Sequence, residues 1–281
     1  MEKYRIEKVG DRSVIIGEMV GEKSMFGTML VVGDRRAALI DSGIGISGDL
    51  DRQVRRYTQL PVIVVHTHSD IDHVGSDALF DEIYLSPLDA EEYSVQSTHA
   101  ERMKDIAVMV RDDPAWLKNA EEHMVGDASG RFSPLSDGQV IDLGGIHLEV
   151  IAVPGHSKGS VCFRNREENY IHLGDAICPV PWIWFTRCPS VETYLQNVRE
   201  FQGRVDGTET LYCSHSMEAL PKNIAERIEH ACEEILSGQT KQDQPFEIEL
   251  TMDVAGKDIR GHVFPDGLLV YDSHHLRERG K

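Results

Sequence analysis

The feature that most constrains this chain is a group of four potential metal ligands directly after an apolar segment. Residues 61–65 read Pro-Val-Ile-Val-Val and are apolar on both faces, which is typical of a central, buried strand. Polar residues begin abruptly after it, and His68, Asp70, Asp72 and His73 fall within six positions. Because the strand fixes where the loop begins, such a loop can direct imidazoles and carboxylates at one point. The pattern predicts a metal site rather than a set of packing residues.

Three further ligand-type residues also follow strand-like segments. These segments lead to His156, through a Pro-Gly turn, and to Asp175 and His215. Each residue alone is weak evidence, because a single His or Asp at a strand end is usually a cap or a surface residue. Four strand-end loops that each deliver an imidazole or a carboxylate predict one convergent centre. Imidazole suits zinc or iron, and a carboxylate can bridge two cations.

Strand and helix patterns are interleaved in both halves of the chain. The predicted strands cover residues 14–16, 29–32, 37–40, 61–65, 139–143, 147–153, 160–164, 170–173, 246–252 and 267–271. The predicted helices run from a cap at Ser47 to Leu60, within 87–125, over about 190–201 and over about 221–236. This order predicts two packed sheets with helices outside.

We expect one domain over residues 1–281, with a helical cover at about 87–125 and a C-terminal strand extension from about 239. The extension is expected either to complete the second sheet or to form the edge of a dimer.

Composition and charge limit the partners of the chain. Its formal net charge is −18, so most of its surface would repel a nucleic acid, and we expect a small-molecule substrate. No apolar run approaches the roughly 20 residues that cross a bilayer, and residues 1–5 do not begin a signal peptide. The five cysteines include no C-x-x-C pair, which favours reduced thiols. These features predict a cytoplasmic protein without a membrane partner.

Taken together, these motifs resemble those of the metallo-β-lactamase superfamily, which includes glyoxalase II-like hydrolases and lactonases. The family pattern is H-x-H-x-D-H, followed by a distant His, an Asp and a final His. Residues 39–43 (Leu-Ile-Asp-Ser-Gly) are similar to the family's LIDTG, and residues 154–160 are similar to its PGHTPGS. The resemblance covers about residues 13–237. It implies an α/β fold (α+β by some schemes), the four-layer αββα sandwich of this family.

The resemblance also implies a ligand set and a reaction. Metal one would be held by His68, Asp70 and His156, and metal two by Asp72, His73 and His215, with Asp175 bridging both. Asp41 would be a structural residue behind the ligands. Asp72 and Asp175 would be the catalytic carboxylates. A hydroxide that bridges the metals would attack a carbonyl-centred bond of an ester, thioester, lactone or amide.

Asp70 departs from the family pattern, because most members have a second His there. Three carboxylates and a hydroxide would balance two divalent ions to a formal zero, where two carboxylates leave one positive charge. Added carboxylate also favours harder cations. We therefore expect two divalent ions, zinc first, with iron or manganese as alternatives.

Two other functional classes remain open from the sequence. A carboxylate at position 70 also resembles the diiron, oxygen-reducing oxidoreductases of the superfamily, which have Glu there and the same 18-residue gap that separates His156 from Asp175. Those proteins carry a flavodoxin domain, for which this chain shows no Gly-rich phosphate loop. A non-catalytic metal-binding module is the third hypothesis.

A proline-stiffened aromatic segment, residues 179–185, follows Asp175 closely. It is expected to form a wall or lid of a substrate pocket, or alternatively to contact a neighbouring helix or the partner in a homodimer. The predicted substrate-binding residues are Trp182, Trp184, Phe185, Arg187 and Lys158, with the two cations as candidates for holding a substrate carboxylate.

Overall fold

The computed structural model describes residues 3–21, 24–248 and 254–278. Its strands are β1 Tyr4–Lys8, β2 Ser13–Val20, β3 Ser24–Val32, β4 Ala37–Ile40, β5 Val62–Val65, β6 Ile83–Leu85, β7 Ser133–Pro134, β8 Val140–Asp142, β9 His147–Ala152, β10 Val161–Asn165, β11 Tyr170–His172, β12 Trp182–Ile183, β13 Thr210–Tyr212, β14 Gln244–Pro245, β15 Ile259–Phe264 and β16 Gly267–Asp272. Its α-helices are α1 Leu50–Val54, α2 Ala90–Gln96, α3 His99–Met109, α4 Pro114–His123, α5 Val191–Arg204 and α6 Ile224–Leu236. Short 3-10 helices cover Asp77–Leu79 and Pro87–Asp89.

The described strands form three sheets. The first has the order β1-β2-β3-β4-β5-β6-β7, antiparallel up to β4 and parallel from β4 onward. The second has the order β13-β11-β10-β9-β8, in which β11 and β13 are parallel. The third, smaller sheet has the order β12-β16-β15-β14. The parallel pairs bring the carboxyl ends of β4 and β5, and those of β11 and β13, to common edges.

The first and second sheets pack face to face around a shared apolar core. Ile40 and Val65 of the first sheet and Val150 and Phe163 of the second are fully buried in it. Neighbouring residues such as Leu39 face the opposite side of the first sheet and are also buried. Strands buried on both faces explain why these segments are apolar without alternation.

Helices cover the outer faces of both sheets. Helices α5 and α6 pack on the second sheet through an apolar stripe that includes Val198 and Ile228. Helix α1 packs on the first sheet through Leu50 and Val54. The resulting helix–sheet–sheet–helix order confirms the predicted αββα fold class. Among the described residues, no helix combines the length and the apolarity needed to span a membrane; the cytoplasmic location and the homodimer remain predictions.

The prediction of a helix from Ser47 to Leu60 was wrong in its extent. Helix α1 covers only Leu50–Val54, and its N-cap is Asp49. The Ser47 hydroxyl instead donates to the buried carboxylate of Glu18. Its neighbour Gly48 has a positive φ of 66°, which does not belong to a helix.

The region predicted to be helical, residues 87–125, contains α2, α3 and α4 as separate short helices. Thr98 caps α3 through its side chain, and Asp113 caps α4 ahead of Pro114. Each cap begins a new helix, so the helical cover consists of separate short helices rather than one long helix.

The C-terminal strands form a sheet of their own rather than completing the second sheet. Strand β16 covers the predicted segment 267–271, but its partner is β15 (Ile259–Phe264), which the sequence pattern missed. Phe246–Ile248 of the predicted strand 246–252 is not in a strand, and its remainder lies outside the described residues. Strand β12 from the aromatic segment pairs with β16. The third sheet therefore joins the C-terminal extension to the aromatic segment.

A buried hydrogen-bond network ties the end of β5 to the helical cover. The Asp77 carboxylate accepts hydrogen bonds from His66 Nε2 at 2.9 Å, Tyr93 Oη at 2.7 Å and Ser42 Oγ at 2.8 Å. Burial opposes protonation of His66, but the carboxylates of Asp77 and Asp41 outweigh it and raise the pKa of His66 to about 9. His66 is therefore a positioning residue of the loop that follows β5.

We expect Asp77→Ala to lower the free energy of unfolding by about 3 kcal/mol, because it leaves a buried imidazolium with one partner fewer. Urea unfolding of chelator-treated protein measures the change. Asp81→Ala, at an exposed carboxylate nearby, should stay within about 0.5 kcal/mol of the wild type. Equal effects of the two substitutions would contradict a structural role for the network.

Candidate metal centre

The ends of three strands and the loop between two others place the predicted ligand residues at one edge of the sandwich. The loop after β5 carries His68, Asp70, Asp72 and His73, and the parallel strand β4 ends beside it. The turn between β9 and β10 and the ends of β11 and β13 carry the other three predicted ligands, His156, Asp175 and His215. Each ligand thus begins from a strand that the core holds in place.

Six of the seven predicted metal ligands fall into two groups. The first group is His68, His156 and Asp175, and in it one ligand atom per residue lies within 4.8 Å of the others. The second group meets the same distance limit and consists of Asp72, His73 and His215.

Asp175 also connects the two groups, since its Oδ2 lies 2.9 Å from His215 Nε2 and 3.7 Å from His73 Nε2. Imidazole and carboxylate donors at these separations are of the kinds that could hold divalent metal ions.

Three buried ligand atoms have no hydrogen-bond partner within the described part of the chain. They are His68 Nε2, His73 Nε2 and Asp175 Oδ1. A buried polar atom without a partner costs about 1–3 kcal/mol, so native proteins seldom leave one unsatisfied. Here the three belong to residues of the two ligand groups, so the residues present fit bound metal ions.

Asp41 orients the ligand loop from behind. Its carboxylate accepts hydrogen bonds from the backbone N–H and the hydroxyl of Thr67, each at 2.8 Å, and from His73 Nδ1 at 2.9 Å. The bond to Nδ1 leaves His73 Nε2 as the ring atom that faces the centre. Burial opposes ionisation of Asp41, but His73 and His66 lower its pKa well below the usual range.

Two other contacts fix imidazole orientation, and the sequence analysis did not single out either of them. The Thr67 hydroxyl lies 3.0 Å from His68 Nδ1, and His156 Nδ1 donates to the Trp182 carbonyl at 2.8 Å. The position of Thr67 directly before His68 is a usable sequence signal. The Trp182 contact has no such signal, because every residue has a backbone carbonyl.

Burial and neighbouring charges shift the ionisation of the ligand residues in opposite directions. Burial, joined by the neighbouring ring of His73, lowers the pKa of His68, which favours the neutral imidazole that binds metals. Burial opposes ionisation of Asp175, but His215 and His73 outweigh it and hold its pKa well below the ordinary value. Burial raises the pKa of Asp72.

Asp70, the seventh predicted ligand, is paired with Arg187. The Arg187 Nη2 atom lies 2.5 Å from Asp70 Oδ1 and 2.6 Å from Oδ2. Asp70 Oδ2 also lies 2.9 Å from His156 Nε2 and 3.8 Å from His68 Nε2. Burial alone would raise the pKa of Asp70, but Arg187 and His156 lower it below the usual range.

This pair corrects the charge count made from the sequence. Arg187 was expected to hold a substrate carboxylate, whereas it binds the carboxylate of Asp70. The Asp70–Arg187 pair is formally neutral, like the histidine that Asp70 replaces. The carboxylate of Asp70 therefore adds no net charge to the candidate centre, in contrast to the count made from the sequence.

A cavity of about 990 Å³ opens over the two ligand groups. Trp182, Phe185, Arg187 and Lys158, four of the five predicted substrate-binding residues, line it, and their binding of a substrate stays a prediction. Its other lining residues include apolar ones such as Phe26, Met109 and Val180, a further cation, Lys257, and acidic residues of the helical cover, Glu91, Glu92, Glu101 and Asp105.

Trp184 does not line this cavity. Its side chain is 1% exposed and is buried with Ile259 and Val270 of the third sheet. Its ring stacks on that of Phe185 at a centroid distance of 4.3 Å. Trp184 therefore lies behind the aromatic wall, which consists of Trp182 and Phe185, and packs between this wall and the third sheet.

Comparison with known proteins identifies relatives with named activities. The chain is 28% identical over 205 residues to a human protein named acyl-coenzyme A thioesterase MBLAC2, a match that covers 66% of this chain and 72% of the relative. The bovine protein of the same name is 29% identical over the same shares of the two chains. Residues 28–215 match the metallo-beta-lactamase superfamily.

Solved structures show the same fold at low sequence identity. A metallo-beta-lactamase from Pontibacter korlensis superposes with a TM-score of 0.58 at 13% identity and covers 82% of this chain and 99% of its own. A beta-lactamase domain protein from Burkholderia ambifaria gives a TM-score of 0.61 at 16% identity, with 83% and 74% covered. The family match and the thioesterase relatives support a hydrolase. By its ligand motifs, its fold and the match over residues 28–215, the chain belongs to the metallo-beta-lactamase superfamily.

Proposed function

We propose that this protein is a dinuclear metal-dependent hydrolase of small acyl thioesters. The observation that carries the proposal is the pair of ligand groups at the floor of a partly apolar cavity, with His68 Nε2, His73 Nε2 and Asp175 Oδ1 buried and unpartnered in the described structure. The thioesterase relatives favour thioesters over esters, lactones and amides. They also favour a hydrolase over the oxygen-reducing oxidoreductase and over a non-catalytic module.

The two ligand groups would hold one cation each. His68 and His156, with Asp70, would bind metal one; Asp72, His73 and His215 would bind metal two; Asp175 would bridge them. When bound, two divalent cations acidify a shared water and polarise a carbonyl oxygen. Four imidazoles in the set favour zinc, and the carboxylates leave iron and manganese as alternatives.

Asp72 would accept the proton of the attacking water. Its carboxylate lines the cavity, and its Oδ2 lies 3.6 Å from both His73 Nε2 and His215 Nε2. Its position at the cavity would let it accept a proton from a water there. Asp175 lies deeper and would orient the centre through its contact with His215.

The aromatic wall would receive the acyl chain. Trp182 and Phe185 face the cavity from one side, and Phe26 and Met109 line it as well. Burying a methylene group there stabilises binding by about 0.8 kcal/mol, so longer chains should bind more tightly. Lys158, exposed at the same cavity, stays a candidate for a substrate anion.

Metal content tests the ligand assignment first. Protein equilibrated with excess Zn²⁺ should bind two ions per chain by equilibrium dialysis with elemental analysis, and His215→Ala should reduce this to one, because it removes a ligand of one group only. His147→Ala, at an exposed histidine on β9, should leave two. A wild-type protein without tightly bound metal would overturn the proposed centre.

Hydrolysis tests the substrate class. Acyl-coenzyme A and short acyl thioesters should release free thiol, and a chelator should abolish the activity reversibly. Asp72→Asn should lower kcat/KM at least about 100-fold, since it removes a proton-accepting carboxylate. The exposed substitution Asp81→Asn is the matched control. Faster turnover of lactones or esters than of thioesters would change the substrate class while keeping the metal centre.

Chain-length dependence tests the aromatic wall. Trp182→Ala should raise KM for a dodecanoyl thioester by about tenfold or more and should change KM for an acetyl thioester much less, because only the longer chain reaches the wall. Val263→Ala, at an exposed apolar residue of β15, should change neither value. An equal loss for both substrates would indicate damage to the centre, since the Trp182 carbonyl binds His156.

A further inference from the structure

The carboxylate of Asp70 is contacted from two directions by groups that compete for its oxygens. On one side lie His156 Nε2, 2.9 Å from Oδ2, and His68 Nε2, 3.8 Å from the same atom. On the other side Arg187 Nη2 contacts both oxygens, at 2.5 and 2.6 Å. A cation held by the two imidazoles would adjoin an oxygen that already binds a guanidinium.

Arg187 is held in this position by more than Asp70. Its guanidinium carbon lies 4.2 Å from the centroid of the Phe185 ring, and its side chain is 13% exposed. A stacked and mostly buried guanidinium does not withdraw freely into solvent. Its guanidinium therefore stays on the Asp70 oxygens and competes for them with a cation at metal one.

The second ligand group has different neighbours. Asp72 and Asp175 form their close charged contacts with His73 and His215, which are themselves ligand candidates. A cation bound there would replace the ring protons of these histidines rather than compete with a guanidinium. The two sites therefore differ in electrostatic environment although their donor atoms are alike.

We propose that Arg187 is a positioning residue that shares Asp70 with metal one and makes metal one the weaker, exchangeable ion of the pair. The inference rests on the proposed dinuclear centre. Metal two, at Asp72, His73 and His215, fills first. Occupancy of metal one then depends on free metal concentration, so Arg187 sets the concentration at which the centre becomes complete.

Zinc titration tests this inference without an activity assay. Metal-free protein is titrated with Zn²⁺ against a chromophoric chelator to obtain two dissociation constants. Arg187→Met should tighten the weaker constant by at least about tenfold, because the competing charge is gone, and leave the tighter constant within about twofold. An Arg187→Met protein whose weaker constant is unchanged, or weaker still, overturns the inference.

Two further variants separate charge from folding. Lys158→Met removes another cation of the same cavity and should change neither constant beyond about twofold, because Lys158 is not the residue that binds Asp70. In an Asp70→Asn background, Arg187→Met should have an effect at least threefold smaller than in the wild type, since the shared ligand is absent. Circular dichroism and Tm confirm that each variant is folded. A full-sized effect in that background overturns the sharing of Asp70.

The outcomes distinguish this inference from the proposed centre. A wild-type protein that binds no zinc, or one zinc only at saturation, overturns both. If the protein binds two zinc ions and Arg187→Met changes neither dissociation constant, the inference is overturned and the dinuclear centre stands. If the protein does not hydrolyse thioesters, the proposed substrate class is wrong, and the two zinc dissociation constants still decide this inference.

Discussion

A buried carboxylate needs an opposite charge or several hydrogen-bond donors, and the centre of this protein is organised by that requirement. Asp41 meets it with Thr67 and His73, Asp175 with His215, and Asp70 with Arg187. The bond between His73 Nδ1 and Asp41 also aims a side chain, since it leaves Nε2 of the same ring toward the centre. The same contacts that make burial tolerable therefore produce the geometry of the site.

The sandwich supplies the rigidity that these contacts require. Strands such as β5 are apolar on both faces because they lie between a helix layer and the opposing sheet. Their ends are consequently fixed, and the loops that follow begin from defined points. The buried Asp77 network links the end of β5 to helix α2 through His66 and Tyr93. The helical cover of the cavity is therefore hydrogen-bonded to the strand that carries the ligand loop.

In the Asp70–Arg187 pair, a neighbouring residue compensates the charge that a carboxylate introduces at a family histidine position. Replacing a neutral imidazole with a carboxylate would change the charge of the centre, but a guanidinium from the aromatic wall cancels that change. The wall thus faces the cavity through Trp182 and Phe185 and contacts the predicted ligand Asp70 through the neighbouring Arg187. Since proteins of one fold carry out many reactions, this wall and the helical cover are where substrate choice would differ between relatives.

The sequence by itself determined most of the strands and the ligand cluster after β5, because apolar periodicity and closely spaced ligands are local signals. The αββα class and the full ligand set followed from the resemblance of its motifs to the metallo-β-lactamase superfamily. Six of the seven ligand candidates meet in two groups. Only the tertiary structure decided the partner of Asp70, which lies 117 residues away along the chain, and the inward placement of Trp184. It also decided the separate third sheet and the short extent of α1. These features depend on contacts between distant segments, and no local pattern records which side of a segment will meet which neighbour.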